Sequence, residues 1–269
     1  MRTRRLTGSV LGVLAAVALA VAGCSDDDTS APGAGTPADT PSAAASSSAA
    51  DPGAAAALGK AAATLGTTSF KITLTSGPAL KMTGTMDAPN GQGAAELNAS
   101  GPNTDITVLT RLVDQDLYVQ VPGVTKAGTW TRIDVSRLPE GANLGLRPGQ
   151  IDPANTAQLL TSTTDVRQVD ARSYEGTLDL TKVAGVSGIN KATVESYGDT
   201  AQKVPFTAGL DDQGRLSALT IQLPAVNGQQ SAPLEVLYTE YGVTVEDLRP
   251  PAAQVVEAPA DLYDTLGGK

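Results

Sequence analysis

The chain has 269 residues, with 28 acidic and 19 basic side chains, and its formal net charge is -9 at neutral pH. An acidic chain is poorly suited to binding nucleic acid, or to binding anionic lipid headgroups through a basic patch. The chain contains no histidine and one cysteine, which excludes histidine-based triads, histidine zinc sites and internal disulfide bonds. We therefore expect no catalytic site, no metal site, no cofactor and no nucleic-acid partner.

Residues 1–23 have the pattern of a secretory signal peptide. Arg2, Arg4 and Arg5 form a basic start, and an apolar stretch over residues 10–22 follows. That stretch is shorter than the roughly 20 apolar residues that a membrane-spanning helix needs. Arg4 and Arg5 leave two export routes open, the general secretion route and the twin-arginine route. Removal of the segment would leave a mature charge of about -12, since it contains three arginines and no acid.

The sequence Val21-Ala22-Gly23-Cys24 resembles a bacterial lipobox, in which an aliphatic residue and two small residues precede a cysteine. The alternative is an ordinary signal peptide with an incidental cysteine. We favour the lipobox because Cys24 is the only cysteine and stands where lipidation requires it. The resemblance implies a protein fixed by acyl chains on Cys24 to the outer face of the cytoplasmic membrane. Two or three chains are expected, because a single chain anchors only marginally.

Residues 24–52 form a predicted tether after the lipidated cysteine. The segment from Ser25 to Asp51 consists mainly of Ser, Ala, Asp, Thr, Pro and Gly and contains no large apolar side chain. Such a composition cannot bury enough surface to fold, so we expect a disordered segment. A flexible coil of about 26 residues spans roughly 30 Å on average, which would hold a domain away from the membrane.

Residues 53–269 are predicted to form one domain that begins with a short helix. Asp51 is a favourable N-cap, Pro52 suits the first helical position, and Gly66 can end the helix. A second helix is predicted over residues 154–160, after Asp152 and Pro153 repeat the same signal. Residues 182–197 are left open between a loop and a short helix. The tail of residues 249–259 contains three prolines and is predicted to be extended along the surface.

Apolar and polar residues alternate with period two over most of the domain, which predicts about ten strands. The predicted strands are 70–74, 80–86, 95–99, 106–112, 117–121, 130–135, 165–169, 174–180, 204–210, 216–223 and 234–241. Short turns and the lack of a strand–helix alternation favour an α+β fold. We predict a large curved antiparallel sheet, a half-barrel, with two to four short helices over its concave face.

An apolar sheet face must be covered, either by a filled core or by a ligand in a groove. Trp130 fits ligand stacking or a core position, and Met82 and Met86 fit an adaptable lining or ordinary core filling. The alternating pattern is compatible with both interiors. The residues predicted to line a ligand cavity are Phe70, Ile72, Leu74, Met82, Met86, Ile106, Val108, Leu112, Leu117, Val119, Val121 and Trp130.

Motifs of common catalytic sites are absent from the sequence: it contains no G-x-S-x-G, no S-x-x-K and no glycine-rich nucleotide loop. The adjacent acids Asp211 and Asp212, and likewise Glu246 and Asp247, would point apart on a strand and are typical of turns. We therefore interpret the protein as non-enzymatic.

A series of short segments follows the lipobox and tether in a characteristic order: Gly128-Thr129-Trp130, Asp152-Pro153, Leu159-Leu160, Thr164-Asp165-Val166, Tyr174-Glu175-Gly176-Thr177-Leu178-Asp179, Val204-Pro205-Phe206, Asp211-Asp212-Gln213-Gly214-Arg215-Leu216, Tyr238-Thr239-Glu240-Tyr241-Gly242 and Pro250-Pro251. In these segments the domain resembles the LppX/LprAFG group of actinobacterial lipoproteins, whose fold is similar to that of the LolA/LolB lipoprotein carriers. The resemblance covers about residues 53–257 and implies an open, curved sheet with helices over an apolar cavity for acyl chains. It also implies binding or carriage of a lipid or lipoglycan.

Two classes of function remain at the level of the sequence. One is a monomeric lipid carrier or presenter in the cell envelope, with an envelope transporter as a possible partner. The other is a non-enzymatic interaction or scaffold lipoprotein, accessory to a transporter or sensor, whose sheet has a filled core.

Overall fold

A computed structural model describes residues 51–101, 104–123, 125–138, 146–184, 190–226 and 228–266. The predicted signal peptide, Cys24 and the tether up to residue 50 lie outside these residues. Within the described ranges, no helix is both long and apolar enough to cross a membrane.

The domain is an α+β structure built on one open sheet of twelve strands. The order across the sheet is β12-β6-β5-β4-β3-β2-β1-β11-β10-β9-β8-β7, so β12 and β7 form its two edges. Neighbouring strands are antiparallel except β12 and β6, which are parallel. The strands are β1 (Ser69–Ser76), β2 (Leu80–Asp87), β3 (Gln92–Gly101), β4 (Thr104–Val113), β5 (Asp116–Gln120), β6 (Trp130–Asp134), β7 (Thr163–Gln168), β8 (Ser173–Leu178), β9 (Val204–Leu210), β10 (Leu216–Ile221), β11 (Leu234–Thr239) and β12 (Val255–Glu257).

Each predicted strand overlaps one of β1 to β11, and the sheet has one strand more. This twelfth strand, β12, lies in the proline-containing tail that was expected to run extended along the surface. It adds to the edge of the sheet because Val255 pairs with Trp130 and Glu257 pairs with Arg132. An ion pair of 2.9 Å between Arg132 Nη1 and Glu257 Oε1 reinforces this pairing.

The first helix, α1 (Pro52–Ala63), begins where the sequence predicts. The Asp51 carboxylate accepts a hydrogen bond of 2.8 Å from the Gly53 N–H, which satisfies one of the free donors of the first turn. A short 3₁₀ turn, Thr64–Gly66, continues the helix. The buried side chains of α1 and of this turn recur at helical spacing and face the sheet: Ala54, Leu58, Ala61, Ala62 and Leu65.

The other helices are short. The second, α2 (Thr156–Leu160), begins after Asn155, whose φ of 50° is left-handed, so the predicted start at residue 154 is two residues early. The third, α3 (Lys191–Ser196), lies in the segment left open between loop and helix. The fourth, α4 (Ala260–Leu266), has no counterpart among the predicted elements. It is fixed by Tyr263, whose hydroxyl accepts a hydrogen bond of 3.0 Å from the Asp134 N–H.

One face of the sheet, the inner face, carries the main core. Cross-strand pairing places Phe70 opposite Met86, Met86 opposite Gly93, and Gly93 opposite Leu112. Side chains of α1 and α2, such as Leu58 and Leu159, belong to the same buried cluster. The helices therefore cover the inner face, and the opposite, outer face carries most of the polar residues of the strands.

Candidate functional site

The structure brings ten of the twelve predicted cavity residues onto the inner face. Their strands pair in a register that preserves the alternation, for example Leu74 opposite Met82 and Leu112 opposite Leu117. Val121 lies one residue beyond the end of β5 and is partly exposed. The ten residues on the inner face are Phe70, Ile72, Leu74, Met82, Met86, Ile106, Val108, Leu112, Leu117 and Val119.

Trp130 is on the other face, so its grouping with the inner-face residues is wrong. Ile133 pairs with Leu117 on the inner face, and a residue three positions away on a strand must point to the opposite side. Trp130 belongs to a small outer-face cluster with Val113 and Tyr118. The guanidinium of Arg111 lies 4.5 Å from the centre of its ring. The sequence could have predicted this, because side chains alternate along a strand and Trp130 and Ile133, three residues apart, cannot face the same side.

One part of the inner face is completely packed, and we call it the closed half. Phe70, Met86 and Leu112 are 0% exposed. Met86 fills the space above two glycines: an added Cβ would lie 2.6 Å from Met86 Cε at Gly84 and 2.8 Å from Met86 Sδ at Gly93. The residues of the closed half are Phe70, Ile72, Met86, Gly93, Leu112 and Leu117.

Farther along the same strands the inner face is apolar but only partly covered, and we call this region the open half. Val108 is 8% exposed and the other members retain more exposed surface. The region is continuous because Met82 pairs with Leu97, and Leu97 pairs with Val108. Three members were not among the predicted cavity residues, although the same alternation places them on this face: Leu80, Leu97 and Ala99. The open half consists of Leu74, Leu80, Met82, Leu97, Ala99, Ile106, Val108 and Val119.

A buried polar cluster holds the cover of the inner face onto β11. The Tyr238 hydroxyl donates a hydrogen bond of 3.0 Å to Asp152 Oδ2, and it also contacts Thr156 Oγ1. The Asp152 carboxylate further accepts hydrogen bonds from the N–H groups of Ala154 (3.0 Å) and Thr156 (2.9 Å). These contacts tie the chain just before α2 to the middle of the sheet.

The cluster changes the acidity of its members. Burial raises the pKa of Asp152, and the hydrogen bonds from Thr156, Ala154 and Tyr238 oppose that rise only in part. Burial, and after it the charge of Asp152, raises the pKa of Tyr238 well above its ordinary value. The proton therefore stays on the tyrosine, which acts as the donor to the carboxylate.

The outer face carries a groove of about 540 Å³ that the sequence did not indicate. It lies above the short side chains of Thr83, Thr85 and Ala94, between longer side chains on either side. The Lys71 ammonium on one wall forms an ion pair of 2.7 Å with Glu240. On the other wall, Arg111 donates a hydrogen bond of 3.3 Å to the Leu248 carbonyl.

The two faces suit different ligands. The outer groove has a floor of threonine and alanine and charged walls, so a bound hydrocarbon chain would desolvate polar groups without pairing them. The members of the open half are all aliphatic or thioether side chains, and the hydroxyl of Thr110, opposite Val119 on the same face, donates a hydrogen bond to the Ala95 carbonyl. For an acyl chain, the chemistry of the lining therefore favours the inner face over the groove on the outer face.

Among the described residues, no group of three or more acidic or thiol side chains is arranged to hold a metal ion. No protein-family model matches the chain. A search of curated proteins also finds no match.

Proposed function

We propose that the protein is a membrane-anchored envelope lipoprotein that binds an acyl-chain lipid or lipoglycan and carries or presents it without catalysis. The observation that supports this most is the open half. It is a continuous apolar surface on the face that elsewhere forms the core, yet it remains partly exposed. A continuous apolar surface that is left partly uncovered is a candidate binding surface.

The energetics of such a surface favour hydrocarbon. Transfer of an acyl chain from water to an apolar surface contributes about 0.8 kcal/mol for each buried CH₂ before the costs of binding are subtracted. The partly exposed side chains of Met82 and Leu97 are flexible enough to adapt to a chain of irregular shape. A long chain could then be held without any polar contact.

The remaining parts of the proposal come from the sequence. The resemblance to the LppX/LprAFG lipoproteins supports a half-barrel whose helices lie over a concave, lipid-binding face. Acyl chains on Cys24 would anchor the protein outside the cytoplasmic membrane, and residues 24–52 would allow the domain to reach a ligand or an envelope transporter.

Blocking the open half tests the binding site. Val119→Trp adds bulk to the inner face, and Thr83→Trp adds the same side chain to the outer groove. Val119→Trp should abolish binding of a fluorescent acyl probe and change the free energy of unfolding by less than the roughly 1–3 kcal/mol typical of an overpacked core. Thr83→Trp should leave binding unchanged. If Thr83→Trp lost binding and Val119→Trp did not, the ligand would bind in the outer groove and not on the inner face.

Substitution of the cysteine tests the anchor. Cys24→Ala should shift the protein from the membrane fraction to the soluble or secreted fraction, because no other acylation site is available in the sequence. Retention of the variant on the membrane to the same extent would contradict lipid anchoring at Cys24.

A second candidate, an interaction or scaffold lipoprotein, is favoured by the complete packing of the closed half. The outer face also exposes Leu237, at 49%, near the outer groove, and a protein partner could cover it. This candidate predicts that the unmodified protein binds no acyl probe, which separates it from the lipid-binding proposal.

A further inference from the structure

At one end of the sheet, the connections between strands carry almost no charge. Their only charged side chain is that of Lys126, and most of the other residues are proline, glycine, alanine or valine. The β8–β9 connection, at the same end but nearer to β7, carries charges of both signs and is set apart. We call the uncharged set the tip, and it consists of residues 77–79, 121–123, 125–129, 222–226 and 228–233.

The opposite end of the sheet is acidic. Its turns, and the chain that leaves β6 and β11 there, contain seven acidic and four basic side chains. Several of these acids face solvent, since the side chain of Asp212 is 89% exposed and that of Asp114 is 70% exposed. The acidic end consists of residues 88–91, 114–115, 135–138, 169–172, 211–215 and 240–249.

Contacts within the tip join its parts into one surface. The Ser231 hydroxyl donates a hydrogen bond of 2.6 Å to the Pro224 carbonyl, which closes the β10–β11 connection on itself. A Cβ added at Gly77 would lie 3.0 Å from the Cβ of Ala232. The turn between β1 and β2 is therefore in contact with the β10–β11 connection, and the two present their side chains together.

The tip adjoins the open half of the inner face. The outermost row of the open half is formed by Leu80, Ala99 and Ile106, which pair across β2, β3 and β4. Leu80 directly follows the turn 77–79, and Val119 on β5 lies two residues before the next part of the tip. The partly exposed apolar surface of the open half therefore continues to the tip.

The charged residues nearest to this junction lie on the outer face. They are Lys81, Asp105 and Glu235, each of which is adjacent in sequence to an inner-face residue. Because side chains alternate along a strand, all three point away from the open half. On the inner side, the junction between the open half and the tip therefore presents no charged strand residue.

We infer that the tip, together with the adjoining row of the open half, rests on the surface of the lipid bilayer, and that the acidic end points away from it. This inference rests on the proposed function, because it assumes the anchor at Cys24 and an acyl ligand in the open half. Prolines and small aliphatic side chains can enter the headgroup layer without desolvating a charge, whereas anionic headgroups would repel the acidic end. An acyl chain could then pass between the bilayer and the open half without crossing water.

The point where the predicted tether joins the domain allows this orientation. The Asp51 N–H donates a hydrogen bond of 2.8 Å to the Val166 carbonyl on the edge strand β7. A flexible tether of about 26 residues spans roughly 30 Å and does not by itself select either end of the sheet. It does keep the domain at a high local concentration beside the bilayer, so a weak contact is sufficient. The difference in charge between the two ends then selects the tip.

Tryptophan fluorescence can measure which end contacts the bilayer. The mature lipidated protein is reconstituted in vesicles of phosphatidylglycerol and phosphatidylcholine, with bromine on the acyl chains of the phosphatidylcholine to quench nearby tryptophan. A Trp130→Phe background leaves no other tryptophan in the chain. Ala127→Trp then places one in the tip, and Ala171→Trp places one at the acidic end as the matched control, since both alanines are exposed. We expect loss of fluorescence in Ala127→Trp and none in Ala171→Trp.

Equal quenching of the two variants, or stronger quenching of Ala171→Trp, would overturn the inference. Absence of quenching in both would also overturn it and would leave the tip to a protein partner or to solvent. In each of these cases, flotation of the protein with the vesicles would show that the anchor at Cys24 stands. A protein that did not float with the vesicles would contradict the anchor itself, and the inference would fail with it.

Added acids test whether the ligand enters through the tip. Ala225→Glu combined with Gln229→Glu should slow transfer of a fluorescent acyl probe from these vesicles to the protein by roughly tenfold, because anionic headgroups repel the new charges. Ala171→Glu combined with Gln213→Glu adds the same charge at the acidic end and should leave the rate unchanged. All four side chains are exposed, so both variants should keep the melting temperature of the unmodified protein.

The affinity for a probe added from solution separates the inference from the proposed function. Both double variants should keep the affinity of the unmodified protein, since neither changes the open half. An unchanged transfer rate in the tip variant would contradict contact between the tip and the bilayer, while lipid binding would stand. If the unmodified protein bound no probe from solution, the proposed function itself would fail.

Discussion

The closed and open halves of the inner face arise from the same strands and the same alternation, but they differ in their cover. On β4, Leu112 is fully buried, whereas Ile106, six residues earlier on the same face, keeps exposed surface. On β1, Ile72 is buried and Leu74 is partly exposed. The difference shows that alternation selects a face of the sheet, and that the rest of the chain decides which part of that face becomes core.

The cover of the closed half comes from residues distant in the sequence. Ile151 lies over Gly93, and the cluster of Asp152 and Tyr238 fixes the chain that carries Ile151 to β11. The glycines at positions 84 and 93 leave room for Met86 to lie across the strands. Packing in the closed half therefore depends on a match between small residues, a flexible side chain and a fixed loop.

The largest expected effect is the difference between two leucine truncations. Leu112→Ala in the closed half should lower the free energy of unfolding by about 2–5 kcal/mol, because it leaves a cavity in a packed core. Leu97→Ala in the open half should cost only about 1 kcal/mol, since its side chain is already partly exposed. Denaturant unfolding of both variants measures the difference. Equal losses would mean that the two halves are packed alike.

Two glycine substitutions, one beside Met86 and one in α1, test how tightly the side chains are packed around each position. A Cβ at Gly84 would lie 2.6 Å from both the Ala94 carbonyl oxygen and Met86 Cε, so Gly84→Ala should destabilise the protein by about 1–3 kcal/mol. Gly59 in α1 has no atom within 4 Å of an added Cβ, so Gly59→Ala should stabilise the protein by about 0.5–1 kcal/mol. If Gly84→Ala proved neutral in thermal unfolding, Met86 would not be held as tightly as we describe.

The Asp152 cluster predicts a dependence on pH. Because burial raises the pKa of Asp152 in the folded state, its carboxyl group stabilises the fold most below the pKa of the unfolded chain, about 3.9. That contribution is lost as the pH rises through the folded pKa. The free energy of unfolding of the wild type minus that of Asp152→Asn should therefore decrease with rising pH, by about 1.4 kcal/mol for each unit of pKa shift.

Carboxyl groups whose pKa is lowered in the folded state contribute equally to the wild-type and the Asp152→Asn proteins. The hydrogen bond from the Arg172 N–H to Asp170 lowers the pKa of Asp170, so its contribution is lost as the pH falls, and it cancels in the comparison. If the difference in unfolding free energy between the two proteins stayed constant from pH 3 to pH 8, the pKa of Asp152 would not be raised by burial.

The smallest expected effect concerns the outer groove. Lys71 and Glu240 form an exposed ion pair, and such pairs contribute at most about 1 kcal/mol. Lys71→Ala should therefore change the unfolding free energy by less than that amount and leave the affinity for an acyl probe unaltered. A several-fold loss of affinity in a titration would show that the outer groove takes part in binding.

The sequence was sufficient for the strands and α1, since both have strong local signals. Alternation located β1 to β11, and Asp51 with Pro52 located the start of α1. The local sequence was not sufficient for β12 or α4, because these two elements depend on contacts of Glu257 and Tyr263 with β6, which is distant in the sequence.

Native mass spectrometry of the soluble Cys24→Ala protein tests whether the open half holds an acyl lipid. The protein should be isolated from its own host without detergent, both alone and with Val119→Trp or Thr83→Trp added. We predict a noncovalent lipid on the Cys24→Ala protein and on the Thr83→Trp form, and its loss from the Val119→Trp form. A Cys24→Ala protein that carries no lipid, or a Val119→Trp form that still carries it, would contradict the claim.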